Sequence, residues 1–349
     1  MREALLRWFD GSARPFPWRA GAREPYVTWI VETMSQQTRI ETVLARLPAF
    51  LARFPTVEAL AGAEVGDVLA AWSGLGYYRR AQGLHAAARV VVGELGGRWP
   101  TGVDGWARLP GVGPYTAAAV AAQAFGVATI AVDGNVRRVG ARLLGEPVPD
   151  DRRLRDALAA RLLPEGGRTR GPGAEPAGGG GTAEASAARV AEALVELGAL
   201  VCTPRAPRCE ACPLRHGCAA AASGDPTRFP TPRRRARVER LELHAWIVTR
   251  PSPGGGERVA LERRPPDGLW GGLHGPPWRD APPAAGARLG AFRHALTHRR
   301  VEAVVWRAAA PPPGAEVRWV EPHETAALGL GAVDRRALGY LERPATLGR

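Results

Sequence analysis

The sequence predicts a mainly α N-terminal domain followed by a smaller α+β domain. Three observations predict it. From Met1 to Leu163, apolar residues recur at three- and four-residue intervals, the period of helices that each bury one face. Beyond the arginine-rich stretch FPTPRRRARVER (Phe229–Arg240), short strand-like runs separated by proline and glycine take over. All 4 cysteines of the chain fall between Cys202 and Cys218, where the helical part ends.

At 349 residues, the chain is long enough for two domains, each with its own core. The predicted division is a helical domain over 1–228, a basic linker over 229–240 and a second domain over 241–349. Within the first domain, VEALAGAEVGDVLAAW, YYRRAQGLHAAARVVVGEL and PYTAAAVAAQAF read as helices, punctuated by GLGYY and LPGVGP. The segment Pro164–Ser186 is too rich in glycine and proline to pack and reads as a flexible insertion. Helical periodicity resumes in ARVAEALVELGALVC and leads into the cysteines. In the second domain LELHAWIV, RVALERR, VEAVVW and EVRWV read as strands, and DRRALGYLE as a closing helix.

The net charge of +13 favours a polyanionic partner, through release of the counterions condensed on it, and nucleic acid is the usual one. All 47 basic residues are arginine, so part of this surplus reflects compositional bias. The absence of lysine also excludes any lysine Schiff base with a carbonyl. MREALLRWFDGSARP lacks the apolar core of a signal peptide, and no run is long enough to span a bilayer. The expectation is a cytoplasmic protein without a membrane partner.

The thiols are spaced C-x6-C-x2-C-x5-C, at Cys202, Cys209, Cys212 and Cys218. In the cytosol such a set holds a metal rather than disulfides. Both a zinc ion and a [4Fe–4S] cluster fit, although zinc more often takes paired C-x2-C knuckles. In LPGVG the glycines Gly111 and Gly113 permit a tight turn, and the helix that follows opens with unpaired amides suited to a phosphate. Asp133, in AVDGNVRRV, reads by default as a turn residue or a helix N-cap.

These motifs, taken in order, resemble the endonuclease III superfamily of helix–hairpin–helix DNA glycosylases. The cysteine spacing resembles that family's iron–sulfur loop and so implies a [4Fe–4S] cofactor, with Arg205, Arg208 and Arg215 as candidates for facing phosphates. ETMSQQT, GLGYY and GLWGGL narrow the resemblance to the adenine DNA glycosylases of the MutY type. The fold it implies is a helix–hairpin–helix glycosylase domain joined to a Nudix-like domain. The activity it implies is hydrolysis of the N-glycosidic bond of adenine mispaired with 8-oxoguanine or guanine, by a monomer on double-stranded DNA at the nucleoid. Glu32 takes the position of the acid that protonates the leaving purine, and Asp133 that of the carboxylate that stabilises the sugar cation, with Asn135 orienting its neighbours. Glycosylases that also cut the strand carry a lysine where this chain has Tyr115, which implies excision without lyase chemistry.

The resemblance also implies DNA and substrate contacts. Arg14, Trp18, Arg19, Ile40 and Glu192 would line the adenine pocket. Gln36, Gln37 and Thr38 would lie at the hole left by the flipped base, and Tyr77 would wedge beside the oxidised guanine. Thr297 and His298 would read the damage, in a triplet whose first residue is Leu296 where the family has phenylalanine. Ser35 and Ala191 are further departures, from leucine and asparagine. The acidic Nudix box is missing, so no pyrophosphohydrolase activity is expected. Two other readings are a glycosylase for thymine in G:T mispairs and a non-catalytic iron–sulfur sensor of DNA damage. The conjunction of Glu32 with Asp133 speaks against the sensor.

Overall fold

The computed structural model describes residues 1–20, 23–163, 182–231, 238–265 and 267–342. Most of the predicted insertion (164–181) and the centre of the basic linker (232–237) lie outside the described residues. The helices of the first part are α1 (Arg2–Ser12), α2 (Pro25–Ser35), α3 (Ile40–Arg53), α4 (Val57–Gly62), α5 (Val65–Ala71), α6 (Arg79–Gly93), α7 (Val103–Ala107), α8 (Pro114–Phe125), α9 (Gly134–Leu144), α10 (Asp151–Leu162), α11 (Thr182–Leu200) and the one-turn α12 (Ala219–Ala222). There follow β1 (Glu239–Ile247), β2 (Thr249–Pro251), β3 (Glu257–Arg263), β4 (His274–Gly275), β5 (Trp278–Arg279), β6 (Gly286–Ala295), β7 (Arg299–Ala308), β8 (Val317–Val320) and α13 (Ala332–Leu338).

By packing, the chain forms two compact units, neither continuous in sequence. One comprises Met1–Gln37, Thr56–Ala61 and Ala86–Arg234, and the other Thr38–Pro55, Gly62–His85 and Arg235–Arg349. The core of the first unit gathers Leu5 and Phe9 of α1, Val136, Val139 and Leu143 of α9, Leu154 and Leu158 of α10, and Leu194 and Leu197 of α11. Cys202, Cys212 and Cys218 pack against this same core. Trp29, Trp99 and Trp106 make a second anchor, with Trp99 stacked on Trp106 at 5.4 Å between ring centroids. That aromatic mass packs α2 on α7, and both helices contact α8.

The second unit contains two sheets. One has the order β5-β1-β7-β6, with β1 and β7 parallel and the other pairs antiparallel. The other joins β2, β3 and β4, with β8 also on β3. Ala245 and Ile247 of β1, Val301, Ala303 and Val305 of β7, and Val333 and Ala337 of α13 fill its core. Tyr78 and Gln82, at the start of α6, hydrogen-bond to Leu330 O at 3.3 Å and Gly271 O at 3.2 Å. These bonds tie that helix end to the sheet-bearing segment.

Four local expectations change. VEALAGAEVGDVLAAW is two helices rather than one, because the Ala63 carbonyl meets the His85 ring at 2.9 Å instead of continuing a helical ladder. The insertion ends earlier than Ser186, since α11 begins at Thr182. Strand β6 was not read from the sequence: its face alternates poorly, and in β6 Phe292 alone is buried. The linker's last two residues, Glu239 and Arg240, already belong to β1 and pair with Arg299 and Arg300. Among the described residues no helix is long and apolar enough to cross a membrane.

Candidate active site and cluster loop

Gly113 is the N-cap of α8 and Pro114 opens it, a position where proline's missing donor is no loss. Of the two hairpin glycines only Gly111 needs its freedom, with φ of +72°. Gly113 is extended. Tyr115 therefore stands in the first turn, and its hydroxyl donates to Glu32 Oε2 at 2.8 Å. From the far end of the same helix Gln123 Nε2 donates to Glu32 Oε1 at 2.7 Å. Burial pushes the Glu32 carboxyl above its ordinary value. The hydrogen bonds from Gln123 and Tyr115 oppose that rise, and the charges of Glu192 and Asp133 add to it. Burial and the nearby carboxylates hold the Tyr115 hydroxyl well above its usual range, so it stays a neutral donor.

Asp133 is the N-cap of α9: its Oδ1 accepts from Val136 N at 2.7 Å. Its other oxygen accepts from Asn135 Nδ2 at 3.0 Å. Burial raises the Asp133 carboxyl, against these bonds and the charge of Arg138, all of which favour the ionised form. Asn135 is itself held, because Arg138 Nη2 donates to its Oδ1 at 2.9 Å. Arg138 reaches on to Gly198 O at 2.8 Å and Cys202 O at 2.7 Å. The approach of α11 to α9 requires glycine at 198, where an added Cβ would lie 2.6 Å from Asn135 Cβ.

The predicted pocket residues of the first unit divide into two ion-paired groups. Arg14 donates its N and Nε to Glu196 Oε1 at 3.1 and 2.7 Å, and its Nη2 to Oε2 at 3.0 Å. Arg19 joins it, 3.3 Å from the same carboxylate. Burial pushes Glu196 upward, but the bonds from Arg14 and the charges of Arg19 and Arg14 bring its carboxyl below the ordinary value. Glu192, one turn earlier on α11, accepts from Arg23 Nη2 at 2.7 Å. Trp18 stacks on Phe16 at 4.9 Å, and the guanidinium groups of Arg14 and Arg19 each lie 4.8 Å from the Phe16 ring centre. Arg14 is thus engaged by Glu196, while Arg19 and Glu192 sit in the ion-paired cluster.

Cys202, Cys209, Cys212 and Cys218 are free thiols that line one small cavity, together with Arg142, Arg208 and Arg215. Among the described residues no three metal-binding side chains close around a single ion. Four thiols spread round a common cavity suit a cluster in which each iron takes one thiolate. Buried Arg142 braces the loop from α9, donating to Thr203 O at 2.7 Å, Pro204 O at 2.9 Å and Phe229 O at 2.9 Å. Its Nη1 is also 3.3 Å from Cys202 Sγ. So one helix carries Asp133 at its start and Arg142, the brace of the cysteine loop, in its last turn.

The model for the HhH-GPD superfamily of base excision DNA repair proteins matches residues 30–164. The iron–sulfur binding domain of endonuclease III matches 202–218, and the NUDIX domain matches 252–340. The adenine DNA glycosylase of Mycobacterium tuberculosis (strain H37Rv) is 40% identical over 237 residues, 66% of this chain and 70% of that protein. The chain belongs to the adenine DNA glycosylases. The human adenine DNA glycosylase is 38% identical over 231 residues, covering 63% of this chain but only 39% of the human protein's length. The helical part is also similar to the solved structure of a thermostable thymine-DNA glycosylase, at 29% identity and TM-score 0.54, covering 63% of this chain and 94% of that one. The cofactor of this family member is a [4Fe–4S] cluster, which the four cysteines of the matched segment would hold.

The remaining predicted residues of this adenine DNA glycosylase fall in both units. Gln36 Nε2 donates to Thr116 Oγ1 at 2.8 Å, at the start of α8. Gln37 is exposed, with φ of +55°. In the second unit, Thr38 Oγ1 accepts from Arg80 at 3.1 Å, and Ile40 opens α3. Tyr77 is 45% exposed at φ +48°, with Arg80 5.5 Å from its ring centre. Positive φ at non-glycine residues costs on the order of 1 kcal/mol each, so Gln37 and Tyr77 are held there by their surroundings. Tyr77 and Thr297 hydroxyls hydrogen-bond to each other. Thr297 and His298 form the exposed turn between β6 and β7. Sequence reasoning missed Arg23, Gln123, Arg138, Arg142 and Glu196. For Gln123 a signal existed: it is the sole polar residue of α8 beyond Thr116.

Proposed function

We propose that this chain excises adenine mispaired with 8-oxoguanine or guanine from double-stranded DNA, leaving an abasic site. The observation that carries this reading is the Glu32 carboxyl, raised by burial and held at one oxygen by Tyr115. Its protonated form donates to the flipped adenine, at N7. The bond between C1′ and the base then breaks, its electron pair leaves with the protonated purine as neutral adenine, and the sugar becomes a cation. Asp133, whose two oxygens already accept from Val136 N and Asn135, stabilises that cation until water adds at C1′. Tyr115 has no amine to attack the sugar, so the reaction ends without lysine-dependent strand cleavage. Held by Cys202, Cys209, Cys212 and Cys218, a [4Fe–4S] cluster would give a rigid scaffold to the loop that Arg142 braces. Thr297, His298 and Tyr77 read the base opposite, and the protein works as a cytoplasmic monomer on chromosomal DNA.

Single-turnover excision on four labelled duplexes tests this: A opposite 8-oxoguanine, A opposite G, A opposite T, and T opposite G. Adenine release from the first two, with strand breaks only after alkali, is the expected result. Thymine release from T:G would move the chain to the activity of its thymine-specific structural neighbour. Binding without release would leave a damage sensor.

A further inference from the structure

From Ala117 to Phe125 every residue of α8 except Gln123 is alanine, valine or phenylalanine. A primary amide on such a helix is costly to bury unless its donors find partners. The partner is Glu32: Gln123 Nε2 donates to Oε1 at 2.7 Å while Tyr115 holds Oε2 at 2.8 Å. Two side chains eight residues apart, about 12 Å along the helix axis, thus converge on the two oxygens of one carboxyl.

We propose that Gln123 is a positioning residue for excision: its amide on Oε1 fixes the rotation of the Glu32 carboxyl, whose other oxygen Tyr115 holds. The proposal rests on Glu32 being the acid. A carboxyl anchored at one oxygen turns freely, because its terminal torsion is broad. A second anchor on the other oxygen removes that freedom. The donated bond also strengthens as Glu32 becomes a carboxylate, so it stabilises the transition state more than the protonated ground state. The groups that act on Glu32 are Gln123 and Tyr115 of α8 through hydrogen bonds, and Asp133 at the start of α9 and Glu192 of α11 through charge. Arg19, in the turn packed on α2, and Arg23 are ion-paired with Glu196 and Glu192. Of the four that act on Glu32, Gln123 alone has no titration of its own, so its replacement reads out on Glu32 directly.

The test is the pH dependence of single-turnover adenine excision by the cluster-loaded protein, compared with Gln123→Leu, Gln123→Glu and Glu32→Gln. In the wild type, the rate falls as pH rises through the value for Glu32. Gln123→Leu keeps the volume and loses the donor, so this alkaline limb moves upward by about one pH unit and the plateau rate falls about tenfold. Gln123→Glu adds a second carboxylate and moves the limb further up. The Glu32 side-chain ¹³C signal, titrated in the free protein, should move in the same order. Unmoved limbs and an unmoved ¹³C titration in both Gln123 variants, even with slower plateaus, would assign Gln123 to packing and overturn the proposal. A Glu32→Gln protein that still excises adenine overturns the acid itself, a distinct failure that takes this proposal with it.

Discussion

Tyr115 donates its phenolic hydrogen to Glu32 Oε2 at 2.8 Å, linking the first turn of one helix to the last turn of another 83 positions away in sequence. Where a strand-cutting glycosylase needs an amine, this site has a neutral donor that steadies an acid. The same carboxyl is destabilised by its burial, which gives the first prediction.

Glu32→Gln should lose roughly 10²- to 10⁴-fold in single-turnover excision, because an amide has no acidic proton to give. The same variant should be more resistant to heat at neutral pH. A carboxyl with a raised native value binds its proton more tightly folded than unfolded, so its contribution is fully present below about the ordinary 4.5 and lost as pH rises through the native value. Melting temperatures of both proteins from pH 4 to pH 8 check this. Curves that separate as pH rises are expected, and parallel curves would deny the raised value.

Arg142→Met should loosen the cysteine loop. Its guanidinium supplies donors to three carbonyls, at Thr203, Pro204 and Phe229, and methionine supplies none. The expected cost is about 3 kcal/mol, with reduced visible absorbance per protein as the cluster is retained less well. Chemical denaturation and the visible spectrum measure the two effects separately.

Gly198→Ala places a Cβ 2.6 Å from that of Asn135, which must move together with α9. A loss of about 1–3 kcal/mol in stability is expected. Excision should fall further than stability alone explains, because Asn135 orients Asp133. Asn135→Gly in the same chain removes the nearest contact but leaves Asn135 Cα and C at 3.0 and 3.2 Å from the added Cβ, so a partial recovery of stability in the double variant would locate the clash.

Thr297→Val keeps the shape of the turn and removes the hydroxyl that meets Tyr77. The preference for A opposite 8-oxoguanine over A opposite G should fall by roughly three- to tenfold, the worth of one hydrogen bond. Rates on the two duplexes under single-turnover conditions give the ratio directly. An unchanged ratio would detach Thr297 from damage reading.

Much of the site was legible before any coordinates. The turn at VDGN announced an N-cap, and Asp133 is one. The cysteine spacing announced a metal loop, and its four thiols line one cavity. LPGVGP announced a turn into a helix, with Tyr115 in its first turn. Each of these signals is local, carried by neighbours in sequence or by the backbone demands of one turn. Arg138 and Arg142 were not legible, since i and i+4 arginines on a helix usually mean a solvated face. Here they end on carbonyls and a thiol some 60 positions away. Glu196 looked like any helical glutamate, and it is the arrival of Arg14 and Arg19, 182 and 177 positions distant, that makes its burial tolerable.

Residue order alone set the inventory: which residues could be acid, carboxylate, thiolate and wedge, and that no lysine could take part. Tertiary structure alone decided which of them meet. A hydrogen bond needs its atoms within about 3 Å, and sequence period says which face of a helix a residue occupies but not what faces it. That is why Gln123, the one polar residue beyond the first turn of an apolar helix, could be recognised as unusual from sequence, while its place on Glu32 Oε1 required the packing of α2 against α8.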